Sequence, residues 1–203
     1  MLVRPLVLAR VHPNVVTAAA LGTACAAVPA AWAGGRWALA AGAAVLVSGL
    51  LDGLDGAVAV RTDRVTELGA RLDGWADRAG EAAFGAVLTS LGAPVQVVVP
   101  AVALAWTLEA VRHRDDRRHP AGTDGARSPA LVTVAERPTR VLVVGMFAIA
   151  AGALASSAPA AAVWAGAGAT VWAILGLAGL AQWVASRRGR GAASVSREHG
   201  PAR

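Results

Sequence analysis

The sequence predicts an all-α integral membrane protein, a bundle of six transmembrane helices with both termini cytoplasmic. Three observations carry that expectation. Of 203 residues, 56% are hydrophobic and 16% charged, a balance too apolar for an ordinary soluble domain of this length. The apolar residues gather into six runs, each near the ~20 residues that cross a ~30 Å hydrocarbon core. The charges fall between the runs and crowd into alternate connections, the pattern that sets membrane orientation.

The first run, residues 14–33, opens on Pro13 and Asn14, which read as a helix start and its N-cap. A turn at Gly34 leads to the second run, 37–60, and Trp32 and Trp37 flank that turn, where an amphipathic indole favours the interface. The third run covers 72–91. Pro94 separates it from the fourth, 95–111, and the fifth and sixth, 141–157 and 160–185, meet at Pro159. Charge concentrates at 4–12, 61–78, 112–140 and 187–203, whereas the turns at Gly34, Pro94 and Pro159 carry only Arg36. The positive-inside rule then places both termini and both charged loops in the cytoplasm.

Residues 1–33 also resemble a secretory leader, with Ala31-Trp32-Ala33 as a cleavage-like end. Pro13 and Asn14 fit a retained helix better, and five further runs follow in either case. One membrane domain is expected over 1–186, with a flexible cytoplasmic loop at 112–129 and a basic, disordered tail at 187–203. Arg187, Arg188 and Arg190 in that tail fit either contact with anionic headgroups or a flank that fixes topology.

Every one of the 19 basic residues is Arg, and the formal net charge is +6. In so apolar a chain these arginines are read as topology signals and headgroup contacts, and no nucleic-acid partner is expected. Cys25 stands alone, which excludes an intramolecular disulfide and a multi-Cys zinc site. It is read as a small packing residue.

Carboxylates sit where the second and third runs approach the charged loop. Asp52 and Asp55 are three apart, Asp73 and Asp77 four apart, so each pair shares a helical face at about 4.5 and 6 Å of rise. If the two helices are antiparallel neighbours, four acids converge at one mouth. Such charges at low dielectric repel unless cations neutralise them. Hard carboxylate oxygens suit Mg²⁺ or Mn²⁺, and a pair of ions can hold a pyrophosphate and stabilise the oxygens exchanged in phosphoryl transfer. A plainer reading of any single aspartate is an interfacial pair with Arg61, Arg64, Arg71 or Arg78. Asp52, Gly56 and Ala59 form one stripe, and Gly69, Asp73 and Asp77 another; the small residues leave room for a ligand or for close helix packing.

The pattern Asp52-x2-Asp55-Gly56-x2-Ala59-x9-Gly69-x3-Asp73-x3-Asp77 resembles the signature of the CDP-alcohol phosphotransferase family. Thr66 and the stretch from His12 to Thr17 also suit it. One departure is Val60, where the family usually has Arg, with Arg61 following; it bears on nucleotide affinity or donor identity and leaves the acids unchanged. The resemblance implies metal binding by Asp52, Asp55, Asp73 and Asp77, with Asp77 also the general base on the acceptor hydroxyl. It implies a cytidine-nucleotide pocket at Asp52, Gly56, Ala59, Thr66 and Gly69, two Mg²⁺ or Mn²⁺ ions, and a homodimer.

The segment Ala135-Glu136-Arg137-Pro138-Thr139-Arg140 is similar to one in bacterial family members with phosphorylated acceptors. Two arginines three apart can clamp one phosphate, though Arg at a cytoplasmic helix end is also an ordinary topology signal. Glu81 and Glu109 are open between pairing with these arginines and lining the cavity. The expected function is metal-dependent transfer of a phosphatidyl group from a CDP-diacylglycerol-type donor to a small alcohol, such as inositol phosphate or glycerol phosphate, releasing CMP. The site would face the cytoplasm from a bacterial plasma membrane. The alternatives are a carboxylate-lined cation transporter, disfavoured because the acids cluster at one end, and a catalytically silent scaffold with the same fold, to which Val60 lends slight weight.

Overall fold

The computed structural model describes residues 12–61, 67–118 and 134–198, and these hold six α-helices and no strand. They are α1 (Pro13–Ala33), α2 (Trp37–Arg61), α3 (Glu67–Ser90), α4 (Val95–Arg118), α5 (Arg137–Leu154) and α6 (Ala158–Glu198). Five of them, all but α3, have stretches long and apolar enough to cross a membrane. Helix α3 falls short because its first fifteen residues carry Glu67, Arg71, Asp73, Asp77, Arg78 and Glu81.

The local starts and stops follow side-chain chemistry. Pro13 occupies the first turn of α1, where its missing N–H costs nothing, and His12 caps that turn by accepting the Asn14 N–H at its Nδ1, 3.3 Å away. His12 thus takes the capping position that the sequence suggested for Asn14. Gly34 ends α1 at φ 66°, a left-handed backbone favouring glycine, and its N–H returns to Ala31 O.

Helix α4 continues through Arg118, and α6 continues to Glu198 through the segment read as a tail; neither stretch contains proline, and Arg and Ala propagate a helix well, although Gly189 and Gly191 in the second each cost about 1 kcal/mol relative to Ala. The remainder of the expected loop, 119–133, and the last residues, 199–203, lie outside the described residues, as do 1–11 and Thr66.

The helices close into a ring in the order α1, α2, α5, α6, α4, α3 and back to α1, with α3 also touching α5 and α6. Small residues form the contact stripes: Ala20, Ala24, Ala27 and Ala31 on α1, and Val144, Ala148 and Ala151 on α5, are buried. Without a hydrophobic drive between helices in lipid, such stripes associate by letting backbones approach closely. The α2–α5 seam shows this most clearly. A Cβ at Gly42 would lie 2.6 Å from Gly145 O, and one at Gly152 would lie 2.6 Å from Leu39 N. Trp172 is fully buried, whereas Trp32 and Trp37 are exposed beside the first turn, as the sequence suggested.

Candidate active site

The α2–α5 seam sets the first turn of α5 against the acid-bearing part of α2, and α3 brings its own acids alongside. Asp52 of α2 and Asp73 and Asp77 of α3 each offer a carboxylate oxygen, and these oxygens all lie within 4.8 Å of one another. Asp73 and Asp77 reach the same point because a spacing of four returns to one helical face. Three hard, anionic donors at that separation fit a divalent cation of the Mg²⁺ or Mn²⁺ type. Asp55, Gly56 and Ala59 lie on α2 and Gly69 in the first turns of α3, but the side chains of Asp55 and Ala59 are outside the described residues.

Arg137 reaches into this cluster from the first turn of α5. Its Nη2 lies 3.1 Å from Asp52 Oδ1, and its Nη1 pairs with Asp77 Oδ1. Positive charge at a helix N-terminus is unfavourable to the macrodipole; the acids facing α5 offset that, and the guanidinium in turn offsets the repulsion between Asp52 and Asp77. Gly80, one turn beyond Asp77, gives the guanidinium its space: a Cβ there would meet Arg137 Nη2 at 3.3 Å. Gly80 was not singled out in the sequence, although its i+3 relation to Asp77 places it on the acid-bearing face.

Arg140, one turn further along α5, goes elsewhere. Its Nη2 lies 2.8 Å from Glu81 Oε1, with side-chain exposures of 7% and 1%, so this is a buried ion pair rather than an interfacial one. Glu109 of α4 acts electrostatically on Glu81, and its Oε2 is buried with no hydrogen-bond partner among the described residues. Of the two roles open to Glu81, the structure shows the pairing. Arg78 folds back along α3, donating from Nη1 to Gly74 O at 3.0 Å. The two arginines of the α5 segment therefore meet different acids: Arg137 joins the aspartate cluster, and Arg140 is tied to Glu81 below it.

No curated protein matches the chain significantly. Two crystal structures of Mycobacterium tuberculosis phosphatidylinositol phosphate synthase (PgsA1) share its fold. One, with CDP-DAG bound, is 23% identical over 89% of this chain and 90% of the synthase, with a TM-score of 0.61. The other, in complex with manganese and citrate, is 23% identical over 89% of this chain and 86% of the synthase, with a TM-score of 0.62. The sequence pattern of the CDP-alcohol phosphatidyltransferase family matches residues 10–185, nearly the whole membrane region. The chain belongs to the CDP-alcohol phosphatidyltransferase family, a family of enzymes.

Proposed function

We propose that this enzyme transfers a phosphatidyl group from a CDP-diacylglycerol-type donor to the hydroxyl of a phosphorylated polyol, such as inositol phosphate or glycerol phosphate, releasing CMP. The observation that carries the reading is the convergence of Asp52, Asp73 and Asp77 from two helices onto one point, with Arg137 beside them. The fold likeness to a synthase solved with CDP-DAG, and separately with manganese, supports the same reading.

In this mechanism Asp52, Asp73 and Asp77, with Asp55, hold one or two Mg²⁺ or Mn²⁺ ions, which when bound supply charge neutralisation for the donor pyrophosphate and the departing CMP. Asp77 takes the proton of the acceptor hydroxyl as its oxygen bonds to the lipid-side phosphorus. The phosphorus–oxygen bond to CMP breaks, and its electron pair leaves with CMP. Gly56, Ala59, Thr66 and Gly69 line the nucleotide pocket, and Arg137 serves the acceptor phosphate; Arg140, expected from the sequence to share it, would have to leave Glu81 to do so. In the proposed placement α3 is the sixth span and both termini face the cytoplasm, so the acids open there from a bacterial plasma membrane. The active form is a homodimer.

The test is a screen of purified protein with CDP-diacylglycerol against inositol phosphate, glycerol phosphate, inositol and serine, measuring CMP and the lipid product. A phosphorylated acceptor should give the highest kcat/KM. Serine or free inositol as the best acceptor would overturn the acceptor assignment, and no CMP with any acceptor would favour the silent scaffold.

A further inference from the structure

Arg137 is held by two acids that the proposed chemistry needs for other work. The guanidinium spans the gap between α2 and α3, pairing with Asp52 Oδ1 and Asp77 Oδ1, where the oxygens suited to a divalent ion gather. Side-chain exposures of 16% for Arg137, 19% for Asp52 and 17% for Asp77 mean that solvent screens these charges weakly. A divalent cation placed among the same oxygens would repel the guanidinium strongly. While Arg137 holds Asp77 Oδ1, that oxygen is also closed to an acceptor hydroxyl.

Arg140 has a separate partner. Its charge is matched by Glu81, a buried acid that does not belong to the aspartate cluster. A metal ion at the aspartates would therefore displace Arg137 and leave Arg140 in place. Gly80 has no side chain to crowd the guanidinium: a Cβ there would lie 3.3 Å from Arg137 Nη2.

We propose that Arg137 is an exchangeable counter-ion: it neutralises Asp52 and Asp77 until a divalent metal replaces it, and the released guanidinium then binds the phosphate of the acceptor. This rests on the reading of the aspartates as metal ligands. It makes Arg137 a positioning residue that couples two binding events. Metal creates the oxyanion site, and by linkage an oxyanion raises metal affinity by the same factor.

The test uses the full chain in detergent, with Mn²⁺ binding followed by electron paramagnetic resonance of the free ion and sulfate as the oxyanion probe. Wild type should bind Mn²⁺ about 5- to 20-fold more tightly in saturating sulfate, within the usual range of site-to-site coupling. Arg137→Gln should bind Mn²⁺ more tightly than wild type without sulfate, by roughly tenfold, and sulfate should no longer matter. Arg78→Gln removes a charge that is bonded to Gly74 O rather than to the acids, so its Mn²⁺ affinity should stay within about threefold of wild type.

Arg137→Lys keeps the charge without the two-pronged geometry; it should show reduced coupling, and serves if the Gln variant does not fold. The proposal is overturned if Arg137→Gln binds Mn²⁺ no better than wild type, or if sulfate still strengthens Mn²⁺ binding in that variant. Absence of any Mn²⁺ binding that Asp52→Asn removes would instead take down the metal reading together with the proposal.

Discussion

Helices α2 and α5 meet twice, and the two meetings work by different physics. Along the seam, Gly42, Gly145 and Gly152 bring backbones so close that an added Cβ would fall 2.6 Å from a backbone or side-chain atom of the facing helix. At the mouth, the same two helices are joined by a charge pair between Arg137 and Asp52. The seam is apolar, short-ranged and intolerant of displacement. The mouth is electrostatic, so a competing ion can replace one partner without moving either helix. The comparison teaches that the rigid contact holds the exchangeable one in register.

The largest expected effect comes from breaking the seam. Gly42→Leu places a branched side chain where even a Cβ would lie 2.6 Å from Gly145 O and 2.8 Å from Ile149 N, and should give no monodisperse protein on gel filtration. Gly42→Ala, with one methyl, should retain a folded protein destabilised by about 1–3 kcal/mol and with reduced CMP release, because α5 is pushed away from Asp52. A normal melting temperature with normal activity in that variant would mean that the seam does not set the site.

Changes at the mouth should do the reverse. Even the outer partners of metal ligands are worth roughly 10- to 100-fold in metal affinity or activity, so Asp52→Asn and Asp73→Asn should each remove nearly all CMP formation while gel filtration and melting stay close to wild type. Near-normal turnover in both would refute the ligand assignment.

Between these extremes lies the Glu81–Arg140 pair, 2.8 Å apart and buried. Breaking a buried pair leaves an uncompensated charge and costs about 3–5 kcal/mol, whereas replacing both members with apolar residues is often nearly neutral. Glu81→Ala should therefore lower the melting temperature more than the double variant Glu81→Met with Arg140→Met. Additive losses would mean that the two residues act independently. The smallest effect is expected at Gly22, where a Cβ meets nothing within 4 Å; Gly22→Ala should leave turnover unchanged and stabilise the helix by at most about 1 kcal/mol.

Much of the fold was legible because membrane helices announce themselves by length and apolarity, and five of the six runs meet that description in the structure. The sixth, α3, is the charged one. Its start at Glu67, before the expected residue 72, was obscured because Glu67, Arg71 and Asp73 interrupt the apolar pattern while remaining compatible with a helix. The pairing of Asp73 with Asp77 followed from their spacing of four, whereas Asp52 joins them across helices that are not neighbours in the ring, α1 lying between α2 and α3. Which acid each arginine would meet did not follow, because Arg137 and Arg140 lie far along the chain from their partners. Their register depends on how α5 packs against both α2, which carries Asp52, and α3, which carries Asp77 and Glu81. A paired clamp on one phosphate and two separate ion pairs look identical as Arg-x-x-Arg.

Metal-dependent CMP release tests the central claim most directly. Purified protein would be supplied with CDP-diacylglycerol and inositol phosphate, and CMP followed with Mn²⁺ present, after chelation, and after Mn²⁺ is restored, with Asp73→Asn run in parallel. The account predicts turnover with Mn²⁺, loss on chelation, recovery on restoring the ion, and nearly none in Asp73→Asn under any condition. CMP release that persists at the same rate in excess chelator, or that is unaffected by Asp73→Asn, would contradict it.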